Sequence, residues 1–170
     1  MPATAVQQAA GVTVEVVTQS EHWSAHPDSE EVLRRAIAAA AAFEGSEGKQ
    51  GEVAVLLTDD AEIRTMNATW RGLDKPTNVL SFPSGDGGSP HLGDIAIAFE
   101  TVARESALEN KRFLDHLAHL SIHGYLHLIG FDHETDREAE RMEHLETRIL
   151  ASLGIADPYA DRPAEDQSPD

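Results

Sequence analysis

Apolar positions along the chain change their period several times, and each change marks an element. Val12 to Val17 alternates β-branched and polar residues and predicts a strand, and Glu52 to Leu57 predicts a second that should join the same sheet. Between them, Asp28 or Ser29 is placed to cap a helix carrying Val32, Leu33, Ala36, Ile37 and Ala40 on one face, and Gly45 is placed to end it. Another helix is expected from near Asp59, burying Ile63, Met66 and Trp70. Asn78 to Phe82, stopped by Pro83, and Asp94 to Phe99 predict two short strands on either side of the glycine-bearing loop Ser84 to Pro90. From Lys111 to Ile129 the apolar residues Leu114, Leu117, Ile122, Leu126 and Leu128 fall on nearly every side of a helix, which therefore belongs inside the protein. After Gly130, Thr135 and Glu138 form a capping-box pattern that opens a last helix, burying Met142, Leu145, Ile149 and Leu153 before Gly154.

Helices and strands are interspersed without strict alternation, so the expected fold is α+β, a small mixed sheet of about four strands packed by about five helices. A chain of 170 residues suits one compact domain, expected over residues 12–155. Residues 1–11 lack periodicity and read as a loose segment. Residues 156–170 combine Pro158, Pro163 and Pro169 with several carboxylates and read as an acidic, disordered tail.

Composition narrows the chemistry. The absence of cysteine excludes disulfides and thiolate metal sites, so a transition metal would have to use the nine histidines or carboxylates. No leader pattern opens the chain and no apolar run approaches the roughly 20 residues that span a bilayer, so a cytoplasmic protein without a membrane partner is expected. Thirteen basic against 30 acidic residues, a net charge of −17, runs against the usual balance of a nucleic-acid binder.

The most informative stretch is His123-Gly-Tyr-Leu-His127-Leu-Ile-Gly130-Phe-Asp-His133. Helix positions four apart share a face, so His123 and His127 can grip one ion, and a turn at Gly130 can return His133 toward them. Three neutral imidazoles leave a fourth tetrahedral position open, as catalytic rather than structural zinc requires. One Zn²⁺ per chain is expected. An isolated histidine on an apolar helix is more often a hydrogen-bonded core residue; the pair, the glycine and the third histidine together shift the balance to a metal. His119 also lies four residues before His123, but a straight helix carries it away from the turn, so it is read as packing or as support behind the ligands. His22, His26, His91 and His144 default to surface or structural roles.

The spacing equals that of the metzincin proteases, H-E-x-x-H-x-x-G-x-x-H, whose glutamate is the general base. Gly124 stands at that position and removes the base. A helix-interior glycine costs about 0.8–1 kcal/mol relative to alanine, and it reads here as opening space beside the metal. Two alternatives stay in play, a metzincin-like metalloprotease and a non-enzymatic protein with a structural zinc.

The motif resembles the YbeY family, bacterial endoribonucleases of rRNA maturation, whose hallmark H-G-x-L-H-L-x-G-x-D-H is matched by His123, Gly124, Leu126, His127, Leu128, Gly130, Asp132 and His133. A second block, Asn67 to Pro83 with Trp70-Arg71 and Asp74-Lys75-Pro76-Thr77-Asn78, and a third, Leu92-Gly93-Asp94-Ile95, extend the likeness over about Asp59 to Gly154. The resemblance implies a zinc-dependent hydrolase of single-stranded RNA, active in small-subunit rRNA 3′-end maturation and ribosome quality control. Its partners would be rRNA and the small ribosomal subunit with its proteins, and under the resemblance the structural-zinc alternative becomes a non-enzymatic ribosome-assembly factor. The family's arginine falls on Arg71, whose planar cation suits a phosphate, and Lys75 can assist at the backbone. Asp94 and Asp132 are the carboxylates nearest in the motifs and are candidates to orient a ligand imidazole. Oligomeric state, cleavage site and general base stay open.

Overall fold

Strand pairing organises the molecule. The computed structural model describes residues 4–9, 11–43, 50–85 and 90–160. One mixed sheet runs β1 (Thr4–Ala9), β2 (Val12–Thr18), β3 (Gly51–Thr58), β5 (His91–Ala98) and β4 (Val79–Pro83) in spatial order. The β2–β3 and β3–β5 pairs are parallel and the two outer pairs antiparallel. The helices are α1 (Ser29–Ala42), α2 (Asp60–Arg71), α3 (Phe99–Leu108), α4 (Phe113–Leu128) and α5 (Asp136–Ser152). This is the expected α+β class, with all four predicted strands present.

The fifth strand corrects the reading of residues 1–11 as loose. Thr4 to Ala9 pairs with β2 from Thr4↔Val17 to Ala9↔Val12. The pairing satisfies backbone groups that an exposed β2 edge would leave open, which requires no apolar periodicity and so left none to read. The other end needs a similar correction, because residues 156–160 are ordered. Asp157 accepts hydrogen bonds from the Tyr159 amide at 2.8 Å and from Thr147 Oγ1 at 3.3 Å, and Lys111 Nζ donates to Pro158 O at 3.0 Å. Gly45, residues 86–89 of the glycine loop and residues 161–170 lie outside the described residues.

Side chains alternate across the sheet and feed two cores. One face joins Val14, Val16, Val53, Val55, Ile95 and Ile97 to α1, α4 and α5. The other joins Leu80, Ala96 and Ala98 to Ile63 of α2. Helix α4 is the central element, packed against β4, β5, α1, α3 and α5, and Leu117, Ile122 and Leu126 on it are fully buried. Trp70 departs from expectation, being 69 % exposed. The buried stripe of α2 passes through Ile63 and Asn67, the latter tied by its Nδ2 to Lys75 O at 2.9 Å, which leaves Trp70 on the outer side.

Candidate metal centre

Helix α4 presents His123 and His127 one turn apart near its C-terminal end. Gly130, at φ +109°, reverses the chain, and the Phe131 amide closes on Leu126 O at 2.9 Å, which returns His133 to the same place. The ring centroids of His127 and His133 are 4.9 Å apart, and one nitrogen from each of the three histidines lies within 4.8 Å of the others.

The hydrogen bonds behind the rings fix which nitrogens face inward. His127 Nδ1 lies 2.9 Å from Phe131 O, a carbonyl that can only accept, so Nδ1 carries the proton and Nε2 is a lone pair. His123 Nδ1 donates to Glu146 Oε2 at 2.7 Å. Burial, counteracted by hydrogen bonds from His119 and His123, sets the Glu146 carboxyl; the bonds prevail and lower it to about 2, so it is an acceptor at neutral pH. In the neutral ring His123 Nε2 is then a second lone pair, and it lies 3.2 Å from His127 Nε2. Two lone pairs at that distance repel unless a proton or a metal cation lies between them. Tetrahedral bonds of about 2.0–2.1 Å place ligand nitrogens roughly 3.3 Å apart, so the spacing fits a bound transition metal. Burial first, then the neighbouring His123 and His133, holds His127 below its usual 6.5 and keeps it in the metal-binding, neutral form. The triad can hold a metal ion.

The three histidines open into a cleft of about 1400 Å³ that is also lined by Arg71, Lys75, Asn78, Ser81, Glu105, His116 and Tyr159. Arg71, the last residue of α2, donates from Nη2 to Ser81 O at 2.6 Å and lies over the Phe82 ring at 5.2 Å. Ser81 Oγ in turn donates to Gly124 O at 3.2 Å, so β4 links the arginine to the histidine helix. Among the described residues Arg71 pairs with no carboxylate, whereas Arg64 is spent on Asp74 at 2.8 Å at the surface.

A scan against family models matches residues 15–154 to Endoribonuclease YbeY. The chain belongs to the YbeY endoribonuclease family. Proteins named Endoribonuclease YbeY from Bradyrhizobium sp. and Bradyrhizobium diazoefficiens are each 58 % identical to it, covering 88 % of this chain and 94 % and 86 % of their own lengths. One from Rhodopseudomonas palustris is 55 % identical, over 90 % of this chain and 93 % of its own. The solution structure of TM1509 from Thermotoga maritima shares the fold, with a TM-score of 0.52 and 22 % identity over 89 % of this chain and 98 % of that one.

Within this YbeY-family site, some expected residues converge and others do not. Lys75 lines the cleft with Arg71. Asp132 caps the turn, accepting from the His133 amide at 2.8 Å, and among the described residues bonds to no imidazole. Asp94 bonds to His91 at 3.0 Å and shares the parity of Ala96 and Ala98, so strand alternation puts it on the α2 side, away from the triad. His119 turns its Nε2 to Glu146 Oε1 at 2.7 Å and is not in the triad. Gly124 does not open space beside the metal: a Cβ there would meet Ile95 at 3.1 Å and Ser81 Oγ at 3.2 Å, so the glycine lets α4 approach the sheet. Sequence reasoning missed Glu146 and Tyr159. The available signal was a carboxylate on the apolar stripe of α5, between buried Leu145 and Ile149.

Proposed function

We propose that this chain is a zinc-dependent endoribonuclease that cuts single-stranded RNA in its cleft, with His123, His127 and His133 as metal ligands and Arg71 at the scissile phosphate. The observation that carries the reading is the pair of facing Nε2 lone pairs, 3.2 Å apart, in the wall of an open cleft. When bound, the ion supplies Lewis acidity, polarising the oxygen of water or phosphate that meets it. The chain's own residues do the rest. Phe131 O and Glu146 hold the two helical imidazoles with their lone pairs inward. Arg71, anchored on Ser81 O and the Phe82 face, offers a fixed cation to the phosphate and to the charge that develops on it, and Lys75 meets the neighbouring backbone.

The strong acidity of the chain is compatible with this reading because it is not concentrated in the cleft. Three basic side chains, Arg71, Lys75 and Lys111, stand among four acidic ones, Glu105, Glu109, Asp132 and Glu134, and a bound dication turns that small deficit positive. Asp136, Glu138 and Glu140 instead lie exposed at the start of α5. This exposed acidic helix start suits basic proteins of the small ribosomal subunit and gives a second, electrostatic route to the 3′ end of its rRNA in the cytoplasm. No helix among the described residues is long and apolar enough to cross a membrane.

The protease reading is disfavoured at Gly124, where a glutamate would meet Ile95 and Ser81 instead of the metal side. The structural-zinc reading is disfavoured by His119, which is engaged by Glu146 and so does not close the fourth position. Metal-loaded and chelated protein, each incubated with single-stranded RNA and with an unfolded protein, separates all three. The reading expects cleavage of RNA alone, by loaded protein alone. Protein cleavage, or intact RNA with full metal, overturns it.

A further inference from the structure

Helix α5 carries many carboxylates on its outer face, yet Glu146 is 0 % exposed. A buried carboxylate persists only where donors replace its water, and here three do so. His119 Nε2 and the Tyr159 hydroxyl donate to Oε1, at 2.7 and 2.5 Å, and His123 Nδ1 donates to Oε2 at 2.7 Å. The third bond has a consequence for the centre. A neutral imidazole in water divides its proton between two nitrogens and turns about its side-chain bonds, but an ionised acceptor behind Nδ1 selects one tautomer and one ring plane. His127 is held in the same sense by Phe131 O, so each helical imidazole is fixed from behind.

The third donor comes from the C-terminal segment. Tyr159 stands edge-on to the His119 ring with centroids 5.5 Å apart. Its segment is fastened independently, through Asp157 to Thr147 on α5 and through Pro158 O to Lys111. The hydroxyl is thus delivered to Glu146 by a built turn rather than by a wandering tail.

We propose that Glu146 is a positioning residue for the metal centre, fixing the tautomer and ring plane of His123, and that Tyr159 latches Glu146 in place so that the 157–159 turn completes the centre. This rests on the triad being a metal site, as argued above. The full-length chain is stripped with a chelator and titrated with Zn²⁺ in competition with a chelating dye. Wild type is compared with Glu146→Gln, Tyr159→Phe and, as a control, Glu105→Gln, which weakens the His116 pair on the same helix without touching a triad histidine. The metal-free proteins are also examined by ¹H–¹⁵N NMR for the imidazole tautomers.

Glu146→Gln should weaken zinc by about 10- to 100-fold and convert His123 from one tautomer to a mixture. Tyr159→Phe should give a smaller loss of the same kind, and Glu105→Gln none. Equal affinity and an unchanged tautomer in Glu146→Gln overturn the proposal, as does an equal loss in Glu105→Gln, which would mark a general loosening of α4. Wild-type affinity in Tyr159→Phe overturns the latch. Should Glu146→Gln not fold, Tyr159→Phe decides alone on the same two readouts. Wild type that binds no zinc rejects the metal reading itself, a different result from all of these.

Discussion

His116 and His123 stand about two turns apart on α4, and each is bonded to a carboxylate supplied by another helix. His116 gives Nε2 to Glu105 Oε1 at 2.8 Å; His123 gives Nδ1 to Glu146 Oε2 at 2.7 Å. The choice of nitrogen separates a structural tie from a candidate metal ligand. At His116 the remaining Nδ1 is buried and meets no hydrogen-bond partner among the described residues, and the tie joins α3 and α4, with Asn78 adding a bond to the same oxygen at 3.0 Å. At His123 the remaining Nε2 lies at the ring's far end, where it meets the lone pair of His127. Two similar pairs on one helix thus differ in what the carboxylate leaves exposed.

The comparison breaks most visibly at His127. His127→Ala removes one of the two facing lone pairs, and metal affinity should fall by at least about a hundredfold, the upper end of what losing only a supporting partner costs. Chelator competition measures this, and RNA cleavage should fall with it. Arg71 tests another part of the same cleft. Arg71→Ala should keep its metal and lose little melting temperature, since only its exposed contacts to Ser81 O and Phe82 go, but cut single-stranded RNA more than about tenfold more slowly. A charge-assisted contact is worth about 1.5–3 kcal/mol and each 1.36 kcal/mol is about tenfold. Lysine should restore only part of the rate, because it lacks the planar fork; the assay compares variants at equal metal content and one salt concentration.

The structural pair should show the reverse pattern. Glu105→Gln should leave metal content intact and cost about 1–2 kcal/mol in a denaturant titration, since it weakens the bonds that join α3 to α4 and β4. A pH series sharpens this. Burial raises the Glu105 carboxyl, but hydrogen bonds from His116 and Asn78 outweigh it and leave the group below its usual 4.5. A depressed carboxylate contributes stability above that value and loses it as pH falls through the folded one. The stability gap between wild type and Glu105→Gln should therefore narrow below about pH 4.5, by a few tenths of a kcal/mol at first.

Local rules made much of this site legible. The four-residue spacing of His123 and His127, the left-handed turn at Gly130 and the Thr135–Glu138 capping box each depend on neighbours in sequence, and each is present. What stayed hidden depends on distant partners. Glu146 reads as one more acid in an acidic helix until His119 and His123 are placed against it, and Tyr159 reads as tail until its turn is seen fastened to Thr147 and Lys111. Asp94 lies in a motif block beside residues that do face α4, and only the pleat of β5 shows that it points the other way. The strand at Thr4–Ala9 is held by backbone pairing, to which the pattern of side chains is nearly blind.

The central claim is that the triad holds one metal ion, and metal analysis of purified protein tests it most directly. Wild type should carry about one zinc per chain, and His123→Ala/His127→Ala should carry almost none, because a single remaining imidazole cannot close a site. Full zinc content in that double variant would contradict the account and place the metal elsewhere.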